Sequence, residues 1–447
     1  MSPSRDTIFA LSSAPGRAAI AVLRVSGPAA GEALRRLRRG AALPEARLAA
    51  YARLYDPESG AALDDGIVLW FPAPASETGE DVAELQIHGG RATVASVLEA
   101  LGKVPELRPA RAGEFTRRAF ENGKLDLTAV EGLADLVDAE TEAQRRQALR
   151  QLRGELGKLY EGWRAELLRL LAHGEAEIDF PDESAEAEVA RGRAARIGRL
   201  SAAISAHLAD ARRGERLRDG LSLVILGAPN VGKSSLMNAL ARRDVAIVSA
   251  RAGTTRDVIE VHLDLGGYPV AIADTAGLRA SEDEIEREGV RRAEARAAQA
   301  DLRLVLLDAT SWPEVPDEVR AMIGGESVLV LNKIDKQRPA GPLALDGLPL
   351  HPISALTGEG IDALVAALAR LAGERLALAE APALTRLRHR QALEETRAAL
   401  ARSLAASSPE LAVEDLRLAM RELGRITGRV DVEDLLDVIF RDFCIGK

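Results

Sequence analysis

With 447 residues, 47% of them hydrophobic, and a net charge of −9, the chain can build two to four domains with real cores, and its acidic balance argues against a broad nucleic-acid-binding surface. No apolar run approaches the roughly 18 residues that cross a membrane, and the opening MSPSRDTIFALSS lacks the layout of a cleavable signal. The single cysteine, Cys444, excludes an internal disulfide and any multi-cysteine zinc site, so a cytoplasmic protein with no membrane partner is expected. Aromatics make up 3% of the residues, which leaves Leu, Val, Ile and Ala to pack the cores.

Residues 1–120 read as mixed α/β. Ile20 to Val25 is strand-like, Ala29 to Leu37 helical, Gly66 to Phe71 strand-like, and Asp81 to Ile87 alternates with the period of a half-buried strand. From about residue 125 the period changes. Leu149, Leu152, Leu156, Leu159, Trp163, Leu167 and Leu170 step by three and four, which predicts one apolar stripe along a long helix. A dimeric coiled-coil seam is the alternative, but sustained heptads are lacking. After the break Asp179-Phe180-Pro181-Asp182-Glu183, a second stripe runs through Ile197, Leu200, Ile204 and Leu208.

The segment 219–375 carries five loop motifs in the order a GTP-hydrolysing switch requires. Leu221 to Leu226 reads as a strand, and GAPNVGKS follows it directly. Leu236, Met237 and Leu240 then start a helical spacing. Strand, glycine loop and helix N-terminus form a phosphate nest, so Asn230, Val231, Gly232, Lys233, Ser234 and Ser235 are candidate nucleotide contacts. Lys233 is expected to reach the β- and γ-phosphates, and the Ser234 hydroxyl to ligate Mg²⁺. Thr254 and Thr255 lie in the following loop, with Thr255 the second candidate metal hydroxyl. Asp274, Thr275, Ala276 and Gly277 end the apolar run from Val270 to Ala273. There the carboxylate would hold Mg²⁺ through water and the Gly277 N–H would sense the γ-phosphate.

Asn332, Lys333, Ile334 and Asp335 end the run from Val328 to Leu331, and Ser354, Ala355 and Leu356 would finish the base pocket. The Asp335 carboxylate can accept from N1–H and the 2-amino group of guanine. Adenine offers neither donor, and a site built for such bonds rejects the wrong base by about 10⁴ or more. The position after DTAG is Leu278, whose side chain cannot orient a water. An acid among Glu282, Asp283, Glu284 and Glu286, an arginine such as Arg256 or Arg279, or a bound cation must do so instead.

Helical spacing resumes to the end of the chain through Leu393, Leu400, Leu404, Leu416, Leu423, Ile426, Leu435, Ile439 and Phe443. Stripes on both sides of the GTPase segment need a partner, and one bundle assembled from both flanks is the economical arrangement. Nucleotide state could then press on a helical lever.

The whole chain resembles the MnmE (TrmE) family of tRNA-modifying GTPases. The resemblance is carried by PGRAAIAVLRVSG, TGEDVAELQIHGG, RAGEFTRRAFENGKLDLTAVEGLADLVDAET, IDFPDE, the five loop motifs and the terminal FCIGK. It implies a multi-domain α/β plus all-α protein. An α+β domain (1–120) would bind folate and form the homodimer, a helical domain would comprise 121–218 and 376–447, and a P-loop G domain with a doubly wound sheet (219–375) would be inserted in it. It further implies a heterotetramer with the flavoprotein MnmG, and tRNA as substrate. Together they would place an aminomethyl or carboxymethylaminomethyl group on C5 of the wobble uridine, position 34. The carbon would come from 5,10-methylene- or 5-formyl-tetrahydrofolate.

By the same resemblance Arg24, Glu84 and Lys124 match folate-contacting residues, and Lys447 lies near that ligand. A potassium ion would be held by Asn230 and by the loop carrying Ser249, Arg251 and Thr254. Ala250, Ala252 and Gly253 would complete that loop around the nucleotide. Here Ser249 and Arg251 stand where the family commonly has threonine and isoleucine, although backbone carbonyls serve regardless of side chain. Glu286 corresponds to the acid that orients the attacking water. Two rival classes are an RNA- or ribosome-binding assembly GTPase and a folate-dependent one-carbon transferase whose G domain is only regulatory.

Overall fold

The computed structural model describes residues 6–179, 186–243, 245–247, 260–273, 300–324, 326–339, 343–377, 382–430, 433–441 and 443–446. The chain divides into two compact units, one of residues 1–134, 151–169 and 417–447 and the other of 135–150 and 170–416.

In chain order, the first unit opens with β1 (Thr7–Leu11), β2 (Ile20–Ser26), α1 (Ala30–Leu37), β3 (Ala50–Tyr55), β4 (Ala62–Phe71), β5 (Val82–His88), α2 (Arg91–Gly102), β6 (Leu107–Pro109), α3 (Glu114–Glu121) and α4 (Leu127–Asp138). The strands form one sheet in the order β3-β4-β5-β2-β1-β6, antiparallel except for the parallel β1–β6 pair. Alternation sorts its two faces. Leu23 and Val25 of β2 and Leu85 and Ile87 of β5 are buried with Leu34, Leu37, Val97 and Leu101 of α1 and α2. Arg24 and Glu84, one step out of phase, are register partners on the opposite face.

Next come α5 (Glu142–Leu152) and α6 (Glu155–Asp179). The stripe read as one long helix is therefore carried by two. Gly154 sits between them at φ +78°, a left-handed conformation that ends a helix and that glycine adopts without strain. Leu156, Leu167 and Leu170 are buried within this single chain, so they need no second copy to cover them.

The second unit continues with α7 (Glu186–Ala209), α8 (Ala211–Asp219), β7 (Leu221–Gly227), α9 (Lys233–Ala241), β8 (Ala246–Ile247), β9 (Glu260–Leu265), β10 (Tyr268–Ala273), β11 (Leu302–Asp308), α10 (Asp317–Ala321), β12 (Ser327–Asn332), β13 (Ala344–Leu345), β14 (Leu348–Pro352), α11 (Ile361–Leu376) and α12 (Leu387–Ala405). Its sheet runs β13-β14-β12-β11-β7-β10-β9-β8. β10, β7, β11, β12 and β14 are parallel. Both faces are covered, by a core including Leu236, Leu240, Leu364 and Leu368 on one side and by Val319, Ile334 and Leu345 on the other. Burial on both sides explains why these strands read as unbroken apolar runs.

Helices from before and after this sheet pack on each other, α7 against α12. Ile197, Leu200, Ile204, Leu393 and Leu400 are buried, whereas Leu404 is exposed and Ser403 takes the inward position, donating to the Ala412 carbonyl at 2.9 Å. The chain ends with α13 (Pro409–Thr427) and α14 (Glu433–Arg441). Within the first unit, Leu436, Phe440 and Phe443 pack with Leu127 and Val130. Ile445 forms a bridge with Ala112, and the Ser12 hydroxyl donates to the Gly446 carbonyl at 3.0 Å. No helix among the described residues is long and apolar enough to cross a membrane.

Candidate functional site

Parallel strands deliver their following loops to one edge of a sheet, where ligands of such folds bind. Register fixes that edge here: Leu306 of β11 pairs with Gly227 of β7, Asp308 of β11 with Asn332 of β12, and Leu331 of β12 with Pro352 of β14. The loops after β7, β12 and β14 therefore rise side by side, carrying GAPNVGKS, NKID and SAL.

The glycine loop is turned by positive-φ residues and packs closely on Asn332. Asn230 has φ +61° and Gly232 φ +104°, and Gly232 caps α9. A Cβ on Gly232 would lie 2.3 Å from Asn332 Nδ2, so both sterics and backbone angle demand glycine. Lys233 Nζ donates to the carbonyls of Gly227 and Ala228, each at 2.9 Å. This folds the ammonium over the loop. Val231 is buried, while Asn230, Ser234 and Ser235 are exposed, which leaves the two hydroxyls on the first turn of α9 accessible.

Asn332 ties three motifs together. It is 2% exposed; its Nδ2 donates to the Val231 carbonyl at 2.9 Å, and its Oδ1 accepts from the Ala355 N–H at 3.0 Å. Next to it, the Ser354 hydroxyl donates to Asp335 Oδ1 at 2.6 Å and accepts from the Thr357 N–H at 3.1 Å. Asp335 is exposed, as is Leu356, so the acid is oriented by a buried serine while remaining open to a ligand.

The sequence reading missed Asp308. Lys333, at φ +70°, donates from Nζ to Asp308 Oδ2 at 2.6 Å, while Oδ1 accepts from the Thr310 N–H and hydroxyl. Burial pushes the Asp308 carboxyl up, but the Lys333 and Thr310 bonds outweigh it and hold it below the ordinary carboxylate range. The available signal is its position at the end of the apolar run LRLVLLD.

Gly232→Ala tests the cradle. A methyl there must displace Asn332 and strain the backbone, at about 1–3 kcal/mol for each effect. Guanine-nucleotide affinity is expected to fall by about tenfold to a hundredfold, measured with a fluorescent GDP analogue; unchanged affinity would refute the packing described.

The remaining nucleotide candidates Ser249, Ala250, Arg251, Ala252, Gly253, Thr254, Thr255, Asp274, Thr275, Ala276, Gly277 and Glu286 lie outside the described residues, as does Lys447.

The second cluster is on the sheet of the first unit. Arg24 Nε and Nη2 donate to Glu84 Oε1 at 3.1 and 2.9 Å. Arg24 Nη1 lies 2.6 Å from Glu77 Oε2, and the guanidinium carbon is 5.8 Å from the centre of the Phe115 ring. Lys124 Nζ donates to the Pro74 carbonyl at 3.0 Å, and its side-chain stem packs near Gly79. Glu77 and Phe115 were not singled out from the sequence; their contact with Arg24 joins separate segments and has no local pattern.

Comparison with known proteins decides the family. Residues 7–124 match the model of the GTP-binding protein TrmE N-terminus, and residues 127–444 match that of the MnmE helical domain. The chain belongs to the MnmE family of tRNA modification GTPases. It is 59% identical over 448 residues to the tRNA modification GTPase MnmE of Parvibaculum lavamentivorans, covering 99% of this chain and 100% of that one. It is likewise 59% identical over 455 residues to MnmE of Rhodospirillum rubrum, with 99% of each chain covered. A human mitochondrial relative, the 5-taurinomethyluridine-[tRNA] synthase subunit GTPB3, is 52% identical over 99% of this chain and 94% of its own. The bounds of the helical-domain match, residues 127–444, enclose the segment that carries the P-loop sheet.

Proposed function

We propose that this GTPase drives modification of the wobble uridine of tRNA. Hydrolysis in the 219–375 domain rearranges the flanking helical segments 121–218 and 376–447. That movement readies an aminomethyl or carboxymethylaminomethyl transfer to C5 of uridine 34, with MnmG as flavin-containing partner. The domain of residues 1–120 binds the tetrahydrofolate donor and mediates the homodimer. The observation that carries the GTP-driven part is the tie between Val231, Asn332 and Ala355 beside the Ser354–Asp335 pair. It locks a phosphate loop and a guanine-reading acid into one rigid edge.

The cradle suits a nucleoside triphosphate, since a loop turned by positive φ at Asn230 and Gly232 leads into the N-terminus of α9, a setting that favours phosphate. Lys233 neutralises phosphate charge, and Asp335 selects guanine. Ser234 and Thr255, with Asp274 through water, are assigned to Mg²⁺, which supplies positive charge to the phosphate oxygens when bound. Asn230, Ser249, Arg251 and Thr254 are assigned to K⁺. Arg24, Glu84, Lys124 and Lys447 are assigned to the folate derivative, whose hydrogen-bond donors suit the carboxylate of Glu84.

Mass spectrometry of tRNA nucleosides from cells lacking the protein tests the reading. The 5-substituted wobble uridines should disappear and return with the wild-type gene, but not with Lys233→Ala. Undiminished modification in the deleted strain would sink the function. Full rescue by the lysine variant would reduce the G domain to a bystander.

A further inference from the structure

Lys333 is held in an uncommon conformation. Its backbone is left-handed at φ +70°, which a lysine rarely adopts and which persists where the surroundings impose it. Its neighbours on either side, Asn332 and Ile334, are both buried, which fixes the main chain there. The side chain leaves the end of β12 and crosses to β11, where its Nζ donates to Asp308 Oδ2 at 2.6 Å. As a stabilising contact alone the pair is poorly placed: both side chains remain 23–24% exposed, and ion pairs open to water contribute little.

The acid is oriented independently of the lysine. Asp308 Oδ1 accepts from the Thr310 N–H at 2.9 Å and from the Thr310 hydroxyl at 2.8 Å. The Ala309 N–H donates to the Asn332 carbonyl at 2.8 Å, so the turn after β11 is fastened to β12 at the residue before Lys333. Sheet order makes the crossing consequential. β11 lies between β12, which leads to Asp335, and β7, which leads to the phosphate loop. The two loops therefore stand about two strand spacings, roughly 10 Å, apart. A nucleoside whose base meets Asp335 and whose phosphates meet the glycine loop has to span that gap. The Lys333 stem, running from β12 towards β11, lies along it.

Resting on the assignment of NKID to guanine above, we infer that Asp308 is a positioning residue that sets how long a nucleotide stays bound, by tethering the Lys333 ammonium. The tether holds the four-carbon stem across the edge of the sheet as an apolar support for the nucleoside. It also keeps a mobile cation from swinging towards the phosphates. The methylenes of Lys333 meet ring or sugar faces, which purine nucleotides share, whereas Asp335 reads the guanine edge. Asp308 thus governs residence time and leaves the choice of base to Asp335.

Stopped-flow release of fluorescent GDP from the full chain tests this. Asp308→Ala should speed release about tenfold, the scale of one charge-assisted hydrogen bond. Fluorescent IDP, whose base lacks the 2-amino group, should be released faster by the same factor. Lys333→Met keeps an unbranched stem without the ammonium, so release should become indifferent to residue 308. Adding Asp308→Ala to it should change the rate by less than about twofold. Melting curves without nucleotide should move by no more than a few degrees, since the turn is also fastened through Ala309. Should Asp308→Ala fail to fold, Asp308→Asn takes its place with the same expected direction.

The inference is overturned if release from the Asp308 variant is unchanged. It is equally overturned if the substitution keeps its full effect in the Lys333→Met background, because Asp308 would then act without the lysine. Faster release of GDP but not of IDP would overturn it as well, because Asp308 would then read the base edge. Failure of the wild-type chain to hold fluorescent GDP counts instead against the nucleotide assignment itself.

Discussion

Asp335→Asn is expected to lower GTP affinity by about 10²–10⁴. Two hydrogen bonds from guanine to a carboxylate are lost, and bonds to a charged acceptor contribute about 1.5–3 kcal/mol each. The geometry makes the effect specific. Ser354 donates to Asp335 Oδ1 from a fully buried position, so the acid is aimed before any base arrives, and an amide of the same shape keeps that orientation. Xanthine carries a carbonyl where guanine carries its amino group. The amide nitrogen of the variant can therefore donate where the carboxylate accepted, and xanthosine triphosphate should regain much of the lost affinity. Parallel titrations with the two nucleotides check both halves. A variant that still prefers GTP would mean that the base is read elsewhere.

Glu286→Ala is expected to leave nucleotide affinity unchanged and to cut turnover by about a hundredfold or more, the usual contribution of a residue that positions and deprotonates an attacking water. The argument is one of substitution. Leu278 occupies the place after DTAG where a polar side chain commonly orients that water, and a leucine can neither donate nor accept. The proposed reading gives that duty to Glu286, in the charged segment that follows. Single-turnover hydrolysis beside equilibrium binding separates the two quantities. Turnover like that of the wild type, or affinity lost together with turnover, would remove the assignment.

Most of what positions the GTP-binding edge was legible in the sequence, for a physical reason. A strand buried on both faces is an uninterrupted apolar run, and Leu221 to Leu226 and Val328 to Leu331 end directly at the glycine loop and at the NKID segment. Half-buried strands of the first unit were equally visible through alternation, as in β2 and β5. What escaped was decided by contacts between distant segments. Gly154 splits an apolar stripe that continues with nearly unchanged phase on both sides, so spacing alone predicted a single helix. The Asp308–Lys333 and Arg24–Glu77 pairs each join a strand residue to a loop residue distant in the sequence, and no local pattern announces them. The triple role of Asn332 was likewise invisible, because its partners Val231 and Ala355 become neighbours only once the parallel strands are in register.

The apolar cluster of Leu127 and Val130 with Leu436, Phe440 and Phe443 has a consequence for biosynthesis. Its first half leaves the ribosome long before its second, with the entire GTPase domain translated in between. During that interval a greasy surface on the nascent chain has nothing to cover it, and exposed surface of this kind invites aggregation. Messages cut short before residue 417 should therefore yield insoluble product even though the nucleotide-binding sheet is complete, and a chaperone that shelters the early segment should raise the yield of intact protein.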